Sequence, residues 1–266
     1  MSGENQANCP RMQTRGHHTW LCLLSLIVLA CCASTARAQG GPPLLTDDPG
    51  TPGPGHWEIN LAATMERGRA GRTFELPLLD INYGVGERIQ LKFEAPWVLQ
   101  QERGGATVHG PGDALAGLKW RFFEDEKRGL AVSAYPQLLF NISSASRDKG
   151  LGEDGPQLLL PLEATKSLGR VSVNGELGYL AARRRADAFF YGLAVGRRMT
   201  SRVELLGEIH GESPRTFATS ELLLNFGTRL KVSERHALLF SAGQPLRKVS
   251  ADGPNFVLYA GTQFTF

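Results

Sequence analysis

Ionisable residues recur through this chain at two-residue spacing. Lys92 and Glu94, Lys119 and Arg121, and Glu204, Glu208 and His210 each alternate with apolar neighbours. Glu163, Glu176, Arg198, Glu221 and Arg229 fall in the same polar phase of their own stretches. Such a row could do three kinds of chemistry. Hydrolysis needs a serine or similar nucleophile beside a histidine that a third group holds. His210 shares its row with Glu204 and Glu208, but no serine joins them, and Ser241, inward in phase on a neighbouring stretch, has no base at its depth. Metal binding needs clustered donors at fixed spacing, and the 6 histidines form no HExxH or comparable pattern. A lone inward histidine is more often a hydrogen-bonded lining residue. The third possibility is a polar passage, in which mixed charges either set selectivity or pair across the lumen and fill it. The reading is therefore no enzyme, no catalytic residue, no metal and no cofactor. It leaves a lumen lining of Lys92, Glu94, Lys119, Arg121, Glu163, Glu176, Arg198, Glu204, Glu208, His210, Glu221 and Arg229.

The elements that must carry this row are β-strands. Ile89, Leu91, Phe93, Ala95 and Trp97 share one face, with Gln90, Lys92 and Glu94 opposite. Val171, Val173, Leu177 and Tyr179 oppose Ser172, Asn174 and Glu176, and Leu222, Leu224, Phe226 and Leu230 oppose Glu221, Asn225 and Arg229. The pattern predicts strands over 56–66, 73–84, 87–100, 113–123, 129–141, 156–167, 170–182, 187–198, 201–211, 218–231, 236–246 and 255–266. Each is close to the 9–11 residues that a tilted strand needs to cross a bilayer. Strand 73–84 breaks phase, since Phe74, Leu76 and Leu78 alternate against Leu79, Ile81 and Tyr83; a bulge near Pro77–Leu79 would repair it.

Connection lengths alternate along the chain. Short turns at Val85-Gly86, Glu124–Arg128, Ser167–Gly169, Met199-Thr200 and Val232–Arg235 interleave with longer segments. The latter are Arg67–Arg72, Gln101–Gly112, Ser143–Gly155, Arg183–Ala186, Glu212–Phe217 and Arg247–Pro254. A barrel with tight turns at its periplasmic end and loops at its extracellular end has this rhythm, whereas a soluble sandwich has no reason to show it. The expected fold is all-β: a single antiparallel transmembrane barrel of about 12 strands over 56–266.

The N-terminus reads as an export signal over residues 1–38. Arg11, Arg15, His17 and His18 form a basic region, Trp20 to Ala33 is apolar, and Ala36-Arg37-Ala38 supplies a small-x-small cleavage site before Gln39. Met12 offers an alternative start to Met1. Val28-Leu29-Ala30-Cys31 departs from a lipoprotein site because Leu29 is bulky. All 4 cysteines (Cys9, Cys22, Cys31 and Cys32) precede the cleavage site, so the exported chain would carry no thiol. A net charge of +3 gives no reason to expect nucleic acid as a partner. The destination expected is the outer membrane of a Gram-negative-type envelope.

The last stretch, Phe256 to Phe266, alternates up to a terminal aromatic, as the C-terminal signature of outer-membrane proteins does. Phe266 is therefore the expected handle for the barrel-assembly machinery. Trp57, Trp97, Trp120, Tyr179 and Tyr259 could form interfacial girdles. The loops, including Arg183-Arg184-Arg185, would meet lipopolysaccharide or plain solvent.

The chain resembles the bacterial outer-membrane family named for the meta-pathway of phenol degradation, whose members are described as transporters. The resemblance spans nearly the whole exported chain. It rests on Thr46-Asp47-Asp48-Pro49-Gly50-Thr51, Gly55-His56-Trp57-Glu58-Ile59-Asn60, Tyr83-Gly84-Val85, Glu94-Ala95-Pro96, Gly112-Asp113-Ala114 with Gly117-Leu118-Lys119, and Leu205-Leu206-Gly207-Glu208. It implies a barrel in the outer membrane that takes up small hydrophobic or aromatic solutes. The Pro/Gly-rich segment 39–55 would then fold back as a plug, with Asp47 and Asp48 facing lumen arginines, or trail as a periplasmic tail. A barrel with a filled lumen, acting through its loops as a structural or adhesin-like protein, is the alternative to a channel; a lipid hydrolase stands below both.

Overall fold

A computed structural model describes residues 41–217, 220–248 and 253–266. The expected signal peptide lies outside the described residues. Fourteen strand segments form one sheet, and they compose twelve barrel strands because two of the twelve are interrupted. In chain order these are β1 (Trp57–Arg67), β2 (Gly71–Val85), β3 (Ile89–Glu102), β4 (Thr107–Pro111 continued by Asp113–Asp125) and β5 (Leu130–Ala134 continued by Gln137–Asn141). Then follow β6 (Gln157–Leu168), β7 (Val171–Ala182), β8 (Ala188–Arg198), β9 (Val203–Pro214), β10 (Glu221–Ser233), β11 (His236–Arg247) and β12 (Phe256–Thr265).

Each strand pairs antiparallel with its sequence neighbours, and β12 closes on β1 with Glu58 opposite Thr265 and Arg67 opposite Phe256. Closure leaves no open sheet edge, which a bilayer would penalise by several kcal/mol for each unpaired backbone group. Both ends of the barrel-forming chain meet at the tight-turn end. There Trp57 and Phe266 exchange backbone hydrogen bonds of 3.1 and 3.0 Å, and His56 Nδ1 lies 2.8 Å from the Phe266 carbonyl oxygen.

Burial is inverted relative to a soluble protein. Leu177 is 60% exposed and Phe226 62%, whereas Glu163 is 1% exposed and Lys119 2%. Leu91, Phe93, Leu193, Leu205 and Phe240 also face outward, and Asn60, Asp80, Asn174, Glu208 and Asn225 are buried inside. An apolar outside around a polar inside is stable only when lipid covers the outside. This inversion, together with closure, decides between barrel and sandwich, which alternation alone cannot do.

Three expectations change in detail. The expected long connection Arg67–Arg72 is taken up largely by strand, with Arg67 paired to Arg72. Within Gln101–Gly112, residues Thr107–Pro111 pair with β3 as a hairpin that prolongs the wall beyond the expected span. Tyr259 leaves the girdle set: it lies directly opposite Ser241, whose side chain is buried in the lumen, so both share the inner face. In each case cross-strand pairing, which single-strand alternation does not report, decided the outcome. The expected bulge in β2 is present. Thr64 pairs with Glu75 but Ala62 pairs with Leu78, so Phe74 and Leu76 point outward before the break, and Leu79, Ile81 and Tyr83 after it. Within 143–155 a single helical turn, α1 (Ser144–Arg147), is capped by Ser143, whose hydroxyl accepts from the Ser146 amide.

Candidate functional site: the lumen and the segment inside it

Residues 41–50 lie inside the barrel, and 51–55 lead along its tight-turn end to β1, where the Thr51 hydroxyl donates to the Glu87 carbonyl. The segment first turns on itself, with the Gly41 amide bonded to the Thr46 carbonyl at 3.1 Å and the Leu44 amide to the Gly41 carbonyl at 3.0 Å. Asp48 then bends the chain in an Asx turn, its Oδ1 accepting from the Gly50 amide. Proline and glycine suit this path because it uses no ladder pairing until Gly55 meets Gly84.

Side chains of the wall hold the segment by its backbone. Glu208 on β9 accepts the Leu45 amide at 2.9 Å and the Thr46 amide at 2.8 Å, and Asn225 on β10 donates to the same carboxylate at 2.9 Å. Arg229 on β10 donates to the Pro42 carbonyl at 2.8 Å while pairing with Glu204 at 3.0 Å. Ser241 on β11 donates to the Pro43 carbonyl at 2.6 Å. On the other side Lys119 of β4 meets Asp47 at 3.0 Å, donates to the Asp48 carbonyl, and lies 3.4 Å from Glu163, whose carboxylate accepts the Ser133 hydroxyl at 2.6 Å. Leu44 packs against Ala194 and Leu206. The wall is hollowed to receive the segment: a Cβ on Gly192 would stand 2.2 Å from Thr46 Oγ1, and one on Gly84 would stand 1.8 Å from the Gly53 carbonyl oxygen.

The lining candidates separate into three groups. Lys119, Glu176, Glu208 and Arg229 contact the segment directly, Glu176 by accepting from the Asp47 backbone, and Glu163 and Glu204 stand beside those contacts. Lys92 and Glu94 pair with each other at 2.9 Å, and Lys92 also lies 3.4 Å from Asp80. The remaining four sit toward the ends. Arg121 donates to the Glu87 carbonyl of the first tight turn, Arg198 pairs across β8 and β9 with Glu204, Glu221 faces Glu212 at the loop end, and His210 stacks on Phe190 at 6.5 Å. Asp47 meets a lysine where arginines were expected. The Ser241 hydroxyl is engaged with the segment, so it stands apart from any histidine partner.

Sequence reasoning missed the neutral anchors, Ser241 and Asn225, and the inward acids Asp80 and Glu75. A polar residue in the inward phase was their only signal, and it is shared by the whole lining. The barrel holds cavities at two levels. One, of about 430 Å³, opens at the loop end, where Glu66 and Glu102 stand beside Arg72, Thr73, Gln100 and Arg103. The other, of about 30 Å³, lies between Asp47 and Asp48 on one side and Glu58, Asp80, Asn82 and Lys92 on the other.

No protein-family model matches the chain, and no curated protein matches it by sequence. Solved structures match it in fold. An outer-membrane channel from Pseudomonas putida F1 superposes with a TM-score of 0.67 at 14% identity, covering 86% of this chain and 100% of that one. The KdgM porin, solved in complex with disordered oligogalacturonate, gives 0.56 at 10% identity over 79% of this chain and 99% of its own. The NanC porin gives 0.56 at 9% identity over 77% and 98%. What this chain shares with them is the outer-membrane β-barrel fold.

Proposed function

We propose that this chain is an outer-membrane channel for small solutes that its own residues 41–55 hold closed at rest. The way the segment is held carries the reading. Its contacts with Glu208, Lys119, Arg229 and Ser241 are side-chain bonds to its backbone and one ion pair, while its ladder bonding is confined to Gly55 and His56 against Gly84. Side-chain bonds of this kind contribute about 0.5–3 kcal/mol each. They can open one after another without disturbing the barrel wall, as a removable plug requires. The likeness to channel and porin folds supports the same reading, as do the signal-like N-terminus and the lipid-facing exterior.

An aromatic or hydrophobic solute, which the family resemblance implies, would find apolar inner wall mainly at Leu180, Ala188 and Phe190 with Leu159 and Ala182 near the loop end. Most of the remaining inner wall is polar, which supports hydrophilic solutes better. The test is conductance in planar bilayers of the refolded protein and of a form lacking residues 41–50, with insertion checked by heat-modifiable migration. We expect small or intermittent conductance for the intact chain and a several-fold rise for the shortened one. Equal conductance in the two would reject the plug. Absence of conductance in both would favour a filled barrel that acts through its loops.

A further inference from the structure

The inner wall is not charged evenly around its circumference. On β1–β3 the inward phase carries, from the loop end down, Glu66, Glu75, then Glu94 and Asp80 at one level, and Glu58 beneath them. Thr64 holds Glu75 toward the lumen through a 2.8 Å hydrogen bond. Lys92 is the only cation of that sector's inward phase, and Asp80 and Glu94 both engage it. The segment's anchors stand on other strands: Lys119 on β4, next to this sector and opposite Gln90 of β3, and Glu208 on β9, Arg229 on β10 and Ser241 on β11, across the lumen from it. Residues 41–50 are thus fastened to β4 and β9–β11 rather than to β1–β3, and the two cavities described above lie along β1–β3, the smaller one between it and the segment. The lower one contains a buried, unsatisfied group, since Asp48 lines it and the Asp48 Oδ2 atom has no hydrogen-bond partner.

On the channel reading above, we propose that small cations, including amine-bearing organic solutes, cross this barrel along the acidic β1–β3 wall. Anions are repelled from it. Carboxylates stacked on one side of a narrow, low-dielectric passage concentrate counter-ions and exclude co-ions over distances comparable to the Debye length. Lys92 sits at the narrow level, beside the smaller cavity, and is the local barrier to such a cation. Arg229 lies across the lumen and is paired with Glu204, whereas Lys119 stands at the edge of this wall, opposite Gln90 of β3, with its charge met by Asp47 and Glu163; the acids of β1–β3 other than Asp80 and Glu94 are left to face a solute.

The experiment is a reversal-potential measurement in planar bilayers under an asymmetric KCl gradient, with the intact chain and the form lacking residues 41–50. The proposal expects K+ to permeate better than Cl−, and Glu75→Gln with Glu94→Gln to lower that preference by about threefold or more. Lys92→Met should raise cation conductance, and Glu153→Gln, on the long loop, should leave selectivity unchanged. Glu75→Asp with Glu94→Asp should retain the preference, which separates charge from shape; if any variant fails to insert, the reversal potential of the parent still decides. Conductance that favours Cl−, or that is indifferent to the β1–β3 carboxylates, overturns the cation path and leaves the channel standing. No conductance in either form overturns the channel reading itself.

Discussion

The carboxylate of Glu208 accepts the backbone amide of Thr46, 162 residues earlier in the chain, at 2.8 Å in the middle of the lumen. The same carboxylate takes the Leu45 amide, so one β9 side chain caps the innermost bend of the segment. Charged acceptors make the stronger hydrogen bonds, and these are shielded from bulk water.

Glu208→Ala should therefore release the segment more than Ser241→Ala, because it removes a charged acceptor shared by two amides. Leu44, which is 7% exposed against Ala194 and Leu206, provides the reporter. In a chain expressed from Gln39 onward, Leu44→Cys is a unique thiol. We expect its reaction with a charged maleimide to quicken by about tenfold in Glu208→Ala, a loss of about 1.4 kcal/mol of docking. Unchanged labelling would mean that Glu208 does not hold the segment.

Gly192→Ala should displace the segment by collision. The new methyl would meet Thr46 Oγ1 at 2.2 Å, far inside ordinary contact. The wall tolerates alanine elsewhere in β8, as at Ala194. Higher conductance is expected in Gly192→Ala, with Thr46→Gly on the same chain restoring the closed state. If the second substitution brings no recovery, the clash is not the cause.

Lys119→Met should destabilise the folded protein by about 3–5 kcal/mol, since it strands the Asp47 and Glu163 carboxylates without their buried cation. Adding Asp47→Asn and Glu163→Gln should recover most of that loss. Urea unfolding in detergent micelles, followed by loss of heat-modifiable migration, measures both. A loss below about 1 kcal/mol for the single variant would show that water reaches these groups.

Leu177→Arg tests the inverted exterior. The site is 60% exposed on the outward face of β7, and on a solvated face the change would cost little. Facing lipid near mid-strand, it should cost about 2–4 kcal/mol in vesicles. Refolding yields equal to the parent's in both vesicles and buffer would contradict a lipid-facing β7.

Much of this architecture is local information. Alternation places Lys92, Glu163, Glu176, Glu208 and Arg229 on one face because strand side chains have a period of two, and the twelve stretches fall close to the observed strands. Connection rhythm and the terminal aromatic stretch pointed to a membrane barrel for the same reason: each is written in consecutive residues. The break in β2 was legible too, since the phase slip between Leu78 and Leu79 needs no partner to be seen.

Other features depend on register and closure, which no single stretch encodes. That Tyr259 faces inward follows from its pairing with Ser241, and that Arg67 turns tightly into Arg72 follows from the β1–β2 ladder. The position of Pro42 to Asp48 among Arg229, Ser241, Glu208 and Lys119 joins four strands spread over half the chain, so composition could offer only a plug or a tail. The acidic run Glu66, Glu75, Glu94, Asp80 and Glu58 is likewise scattered in sequence. It becomes one wall only when three antiparallel strands are set in register, because the field a solute meets in a lumen depends on which side chains stand at one height and not on their order along the chain.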